Sequence, residues 1–243
     1  MSAFLVVALF LVAFGAGILG GLVGTGSSLI LLPLLVAVYG PREAVPIMAI
    51  AAVCANVGRV AAWWREIDWA AVLAYAAPGV PAAVLGARTL LAVSPRIIDG
   101  CLGAFFLAMI AVRRRLAGRE RRTRPWQLAM AGLVVGFLTG VVLSTGPLSV
   151  PVFIGYGLTA GRFLGTEAAS ALILYLAKTA TFGSSGALSL GTVLEGVVIG
   201  LALTVGPFAA RPFVRRAGPR AYGLLIDAVL AVAAVGMTVT AVR

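Results

Sequence analysis

Long uncharged stretches, each about as long as a lipid bilayer is thick, constrain this chain more than any other feature. From Ala3 to Val23 it reads AFLVVALFLVAFGAGILGGLV without one charged side chain. A helix needs roughly 20 mostly apolar residues to cross a hydrocarbon core of about 30 Å. The runs are continuous and not alternating, so they predict helices and not the strands of a barrel. Composition agrees: 61% of the 243 residues are hydrophobic and 11% are charged, against about 25% charged in soluble domains. The expected fold class is an all-α integral membrane protein.

The net charge of +11 would suit a nucleic-acid partner if it were spread over a surface. Instead, seven of the nineteen basic residues crowd into RRRLAGRERRTR, Arg113 to Arg124. A basic segment between hydrophobic spans marks the cytoplasmic side, so no nucleic-acid partner is expected. The chain has no histidine, the commonest general base and metal ligand, and its two cysteines, Cys54 and Cys101, lie inside apolar runs. No catalytic group, metal or cofactor is expected. The first run has no lysine or arginine before it and reads as a retained span, not a cleaved signal peptide.

The basic linker divides two halves that follow one script. GTGSSLILLPLL, a YGPREAVP turn, a span ending NVGRVAAWW, the marker IDW, then PGVPAAVLGAR and SPR make up the first half. The second runs LSTGPLSVPVF, YGLTAGRFLGTE, a span ending YLAKTATFG, the marker LSLG, then VIGLALTVGPFAAR and GPR. Pairing the halves sets Pro33 on Pro151, Arg59 on Lys178, Gly79 on Gly200 and Gly86 on Pro207. Residues 1–112 are read as a first membrane repeat, 113–125 as a cytoplasmic linker and 126–243 as a second repeat. The expected segments are about 3–23, 28–40, 45–64, 69–92 and 97–112, then 126–143, 147–158, 163–182, 191–211 and 221–242. Segments two and seven, about 12 residues or 18 Å each, are too short to span and read as re-entrant or broken helices. If each short segment returns the chain to its starting side, thirteen basic residues lie inside and four outside, as the positive-inside rule asks. Each half then crosses an odd number of times, which makes two inverted-topology repeats of about five segments, the architecture of many secondary transporters.

On the duplicated glycine-containing loop that leads to Pro-Leu-Leu, GTGSSLILLPLL and its counterpart STGPLSVPVF, with the pair Asp68–Trp69, PGVPAAVLGAR and the SPR motif, the chain resembles the sulfite exporter TauE/SafE family of membrane permeases. The likeness extends over nearly all of both halves. It implies an inner-membrane, multi-pass permease whose partners are the lipid bilayer and a small sulfur-containing anion such as sulfite or an organosulfonate. The chain departs from the family's glycine run with the hydroxyls Thr25, Ser27, Ser28, Ser144 and Thr145, and its second half lacks the Asp–Trp marker.

An anion at membrane depth must exchange its water for positive potential and hydrogen-bond donors. Half-helices beginning near Ser28 and Pro147 would aim free N–H groups and positive dipole ends inward. Gly24, Thr25, Gly26, Ser27 and Ser28 from one loop, and Ser144, Thr145 and Gly146 from the other, are therefore expected to bind substrate. Arg59 and Lys178 are the cations placed well inside spans, where a charge costs roughly 2.5–3.5 kcal/mol on insertion scales and marks function; the alternative is that both snorkel to the interface. Asn56 and Tyr175, one turn before them, share their faces. Among the acids, Glu167 is the expected proton or salt-bridge partner, with a role as helix-dipole partner the alternative. Pro78, Pro81 and Pro207 are hinges or static kinks. These readings favour a secondary transporter working by alternating access, with a passive anion channel as the alternative; a membrane enzyme would need a nucleophile and base that the sequence does not offer, and a scaffold binding through the linker would not need the loops.

Overall fold

The computed structural model describes residues 3–24, 27–92, 123–141 and 146–216. The expected segments 97–112 and 221–242, and the linker up to residue 122, lie outside the described residues. Helices α1 (Ala3–Val23), α2 (Ser27–Tyr39), α3 (Pro41–Trp63) and α4 (Trp69–Ala92) are followed, beyond the linker, by α5 (Pro125–Val141), α6 (Gly146–Gly155), α7 (Ala160–Ser184) and α8 (Leu190–Arg216). The described residues contain no strand.

Local chemistry sets the helix ends. Gly40, at φ 74°, turns the chain between α2 and α3, and Pro41 supplies a preset φ for the first helical position. This starts α3 four residues earlier than expected. A single 3₁₀ turn, Trp64–Glu66, leads to Asp68, whose Oδ1 accepts from the Ala71 N–H at 3.1 Å and caps α4. Ser189 does the same for α8, its Oγ accepting from the Thr192 N–H at 3.1 Å. Asp68 and Ser189 occupy matching places in the two halves, so the second half keeps the cap of the Asp–Trp marker while changing its residue.

Among the described residues, three helices, Glu43–Glu66, Trp69–Ala92 and Leu190–Arg216, are long and apolar enough to cross a membrane. Leucines such as Leu73, Leu85, Leu190 and Leu201 point outward from the bundle, as lipid-facing side chains do. The 13 residues of α2 and the 10 of α6 rise about 20 and 15 Å, short of a full crossing.

Glycine brings the long helices together, the usual way of packing helices in lipid. A Cβ on Gly132 would stand 2.0 Å from the Tyr75 carbonyl oxygen, one on Gly136 2.4 Å from that of Gly79, and one on Gly140 2.4 Å from that of Ala83. These contacts advance together along α4 and α5, so the two helices run parallel. The same pattern joins α1 to α8, where Gly17 meets Leu203 and Gly21 meets Pro207. Helix α3 also runs parallel to α8, through Cys54 on Gly200 and Gly58 on Thr204. By contrast α3 is antiparallel to α7, because Trp63 lies on Gly161 and Gly165 while Arg59, a turn earlier in α3, meets Glu167.

One end of this bundle is charged. Arg162 pairs with Asp68 at 3.1 Å and Arg215 with Glu66 at 3.6 Å. Beneath them Trp63 is buried, with the guanidinium groups of Arg211 and Arg215 at 5.7 and 5.9 Å from its ring. The indole seals the junction of α3, α7 and α8.

Candidate anion-binding site

Between the glycine seams lies a cavity of about 40 Å³, larger than the roughly 10–15 Å³ that one water requires. It collects residues from both halves. The first turn of α2 contributes Ser27 and Ser28, and the first residue of α6, Gly146, lines the same cavity. A helix leaves its first four N–H groups without partners in the helix and carries a partial positive charge there. Two such ends at one cavity are the kind of donor set that an anion needs.

Arg59 enters the same cavity from α3 and is 7% exposed. Its guanidinium donates to the Gly24 carbonyl, to the Asn56 side-chain oxygen and, at 2.5 Å, to Oε2 of Glu167. Glu167 is 4% exposed, and its other oxygen accepts from the Ser149 hydroxyl at 3.3 Å. Asn56 is fixed in turn by donating to the Ala52 carbonyl at 2.7 Å. Arg59 does not snorkel. Its head turns inward because the carbonyl of Gly24, at the end of α1, and a carboxylate from the other half both offer it bonds at depth. Gly24 allows this approach through its φ of 89°, with its own amide still bonded to Gly20.

Lys178 is fully buried and does not snorkel either. Its Nζ donates to the Thr139 carbonyl at 2.7 Å and lies 5.4 Å from the Phe182 ring centre. Thr139 is in the last turn of α5, where carbonyls lack helical partners. Each cation therefore satisfies a carbonyl at the end of the first helix of its own half, Arg59 for α1 and Lys178 for α5. The difference is that Arg59 lines the cavity while Lys178 stands behind Thr139, which does.

Of the residues expected from sequence, Gly24, Ser27, Ser28, Asn56, Arg59, Gly146, Glu167 and Tyr175 all line this cavity; Thr25, Gly26, Ser144 and Thr145 lie outside the described residues. Glu167 is in the second turn of α7, which begins at Ala160, and faces Arg59 across the bundle instead of capping its own helix. Sequence reading missed Tyr75, Thr139 and Ser149. Ser149 alone had a signal, a hydroxyl within the second short segment; a tyrosine in an apolar span and a threonine bonded to its own helix (Thr139 Oγ to the Val135 carbonyl, 2.7 Å) look like ordinary packing. Among the described residues, no group of three histidine, cysteine or acidic side chains could hold a metal.

The sequence model of the family described as sulfite exporter TauE/SafE matches residues 9–237. No curated protein and no solved structure matches the chain.

Proposed function

The chain belongs to the sulfite exporter TauE/SafE family, and from that membership we propose that it is a secondary transporter for a small sulfur-containing anion, such as sulfite or an organosulfonate. The family is one of membrane transporters, so the bilayer is the chain's surroundings and transport, not catalysis, is its task. The observation that carries the assignment of the site is the meeting of Arg59 with the starting ends of α2 and α6 at one buried cavity. Donors and positive potential converge there where water is scarce, as anion desolvation demands.

The mechanism we assign is alternating access between two inverted repeats, residues 1–112 and 126–243, joined by the linker 113–125. Support comes from the parallel pairs: α1 on α8 and α5 on α4 exchange places when the halves are exchanged, and their glycine contacts correspond. The antiparallel crossing of α3 and α7 and the matched carbonyl bonds of Arg59 and Lys178 fit the same exchange. The short α2 and α6 then serve as re-entrant halves. Orientation follows charge: Arg162, Arg211 and Arg215 gather at one end, and the start of α5, next to the basic linker, lies beside the start of α4 at that end. The positive-inside rule makes this end cytoplasmic in the inner membrane. Pro78 and Pro81 in α4, and Pro207 and Pro212 in α8, each remove a helical hydrogen bond and let the helix bend there.

The test is uptake into proteoliposomes of sulfite, thiosulfate, sulfoacetate and chloride by the wild type, Arg59→Ala and Lys178→Ala. Uptake of the sulfur anions over chloride, lost in Arg59→Ala, is expected. Normal transport by both variants removes the cationic site, and flux in both directions indifferent to any gradient makes the protein a channel.

A further inference from the structure

We propose that a substrate anion and the Glu167 carboxylate compete for Arg59, so that each anion enters the cavity together with one proton, which neutralises Glu167. The inference rests on the reading of this cavity as the transport site. Its starting point is that both hydrogens of Nη1 are already used: Nη1 donates to Gly24 and to Glu167, while Nη2 donates to Asn56. An incoming anion that grips the guanidinium end-on, through one N–H of each terminal nitrogen, must take an Nη1 hydrogen from one of these acceptors. Gly24 is tied to the end of α1 and Asn56 is held by Ala52, leaving Glu167 as the acceptor that a side-chain movement can release.

Displacement alone does not finish the step. With Arg59 gone, the partner that remains to Glu167 is the Ser149 hydroxyl, itself shared with the Gly146 carbonyl at 2.9 Å. A carboxylate buried beside one neutral hydroxyl is costly, and the proton that enters with the anion removes that charge. Charge then balances. Before entry, Arg59 and Glu167 cancel; afterwards a monovalent anion cancels Arg59, and the protonated Glu167 is neutral. When the proton leaves, the carboxylate reclaims Arg59 and expels the anion.

Among the described residues, the surroundings of Glu167 offer no substitute for this proton. Facing the pair are Tyr75 from α4 and Tyr175 on its own helix, while α2, α5 and α6 present the hydroxyls of Ser27, Ser28, Thr139 and Ser149. Lys178 lies eleven residues along α7, about 16 Å of helix, with its Nζ on the Thr139 carbonyl.

The probe is ethanesulfonate, which stays ionised throughout the accessible pH range, in proteoliposomes carrying an internal pH dye. Ethanesulfonate uptake is expected to acidify the lumen, and its initial rate to rise as external pH falls, by at most about tenfold per unit, the limit for one linked proton. Glu167→Gln is expected to retain exchange of labelled for unlabelled ethanesulfonate but lose both the proton signal and the pH slope. Wild-type uptake without proton movement, or a Glu167→Gln protein that keeps the wild-type slope, overturns the competition while leaving transport standing. Wild-type vesicles that move no sulfur anion overturn the transport reading itself. Should Glu167→Gln fail to fold, titration calorimetry of purified wild type in two buffers of different ionisation heat decides: one proton taken up per ethanesulfonate bound supports the proposal, and none refutes it.

Discussion

Arg59 and Glu167 are 108 residues apart in the chain and 2.5 Å apart in the fold, one from each half and both nearly excluded from solvent. Removing one member of a buried pair strands the other charge, which typically costs about 3–5 kcal/mol. Arg59→Ala is therefore expected to lower the thermal unfolding midpoint in detergent markedly as well as to abolish anion uptake. Replacing both, Arg59→Met with Glu167→Leu, removes the stranded charge. The double variant should recover most of the stability while transport stays absent, which separates the fold's need for the pair from the cavity's need for the cation.

Lys178 predicts the opposite balance. Its ammonium satisfies the Thr139 carbonyl at the end of α5 but does not line the cavity. Lys178→Met keeps the side-chain length and the packing on Phe182 while removing the charged hydrogen bond to that carbonyl, a loss of about 1.5–3 kcal/mol. Uptake measured at saturating anion should fall less than in Arg59→Ala, with the larger change in the anion concentration needed for half-maximal rate, because a cation behind the wall contributes potential and no direct bond.

These two residues also mark the limit of what the sequence makes legible. Each is visible as a charge inside an apolar run, and their equal spacing within the halves identifies them as a pair. What each touches is invisible, because a bond from Arg59 to Glu167 depends on how α3 crosses α7 and leaves no local pattern. The helix limits were readable to within a few residues because glycine, proline and caps act locally. The inward turn of Arg59 was not readable: six residues from Arg65, it looks like a side chain able to reach the interface, and only the acceptors at depth decide against that. Trp63 illustrates the same point. In NVGRVAAWW it resembles an interfacial aromatic, yet it is 2% exposed, while its neighbour Trp64 lies outside and packs edge-on against Trp69 at 5.4 Å.

Asp68 tests the equivalence of the two helix caps. Its Oδ1 caps α4 while Oδ2 meets Arg162, an exposed pair worth about 0–1 kcal/mol. Capping dominates, so Asp68→Ser, the residue at the matching place in the second half, should be nearly neutral in thermal unfolding. Asp68→Ala should cost about 0.5–2 kcal/mol. Equal losses in both variants would assign the stabilisation to the ion pair instead.

The α4–α5 seam gives the sharpest stability contrast, because it sets two chemically identical substitutions against each other. At Gly132 a methyl group would lie 2.0 Å from the Tyr75 carbonyl oxygen and 2.8 Å from its carbon. Both are backbone atoms of a packed helix and cannot swing aside. Gly132→Ala must therefore push α4 and α5 apart and open their whole line of contact through Gly136 and Gly140. Overpacking of this kind costs about 1–3 kcal/mol or more, and the variant should unfold at lower temperature or fail to accumulate. Gly15, in the middle of α1, has nothing among the described residues within 4 Å of an added Cβ. There the same change removes only glycine's backbone entropy and should stabilise by about 0.5–1 kcal/mol. Thermal unfolding of the two variants side by side checks the seam, since opposite signs require α4 and α5 to meet at the separation the glycines permit.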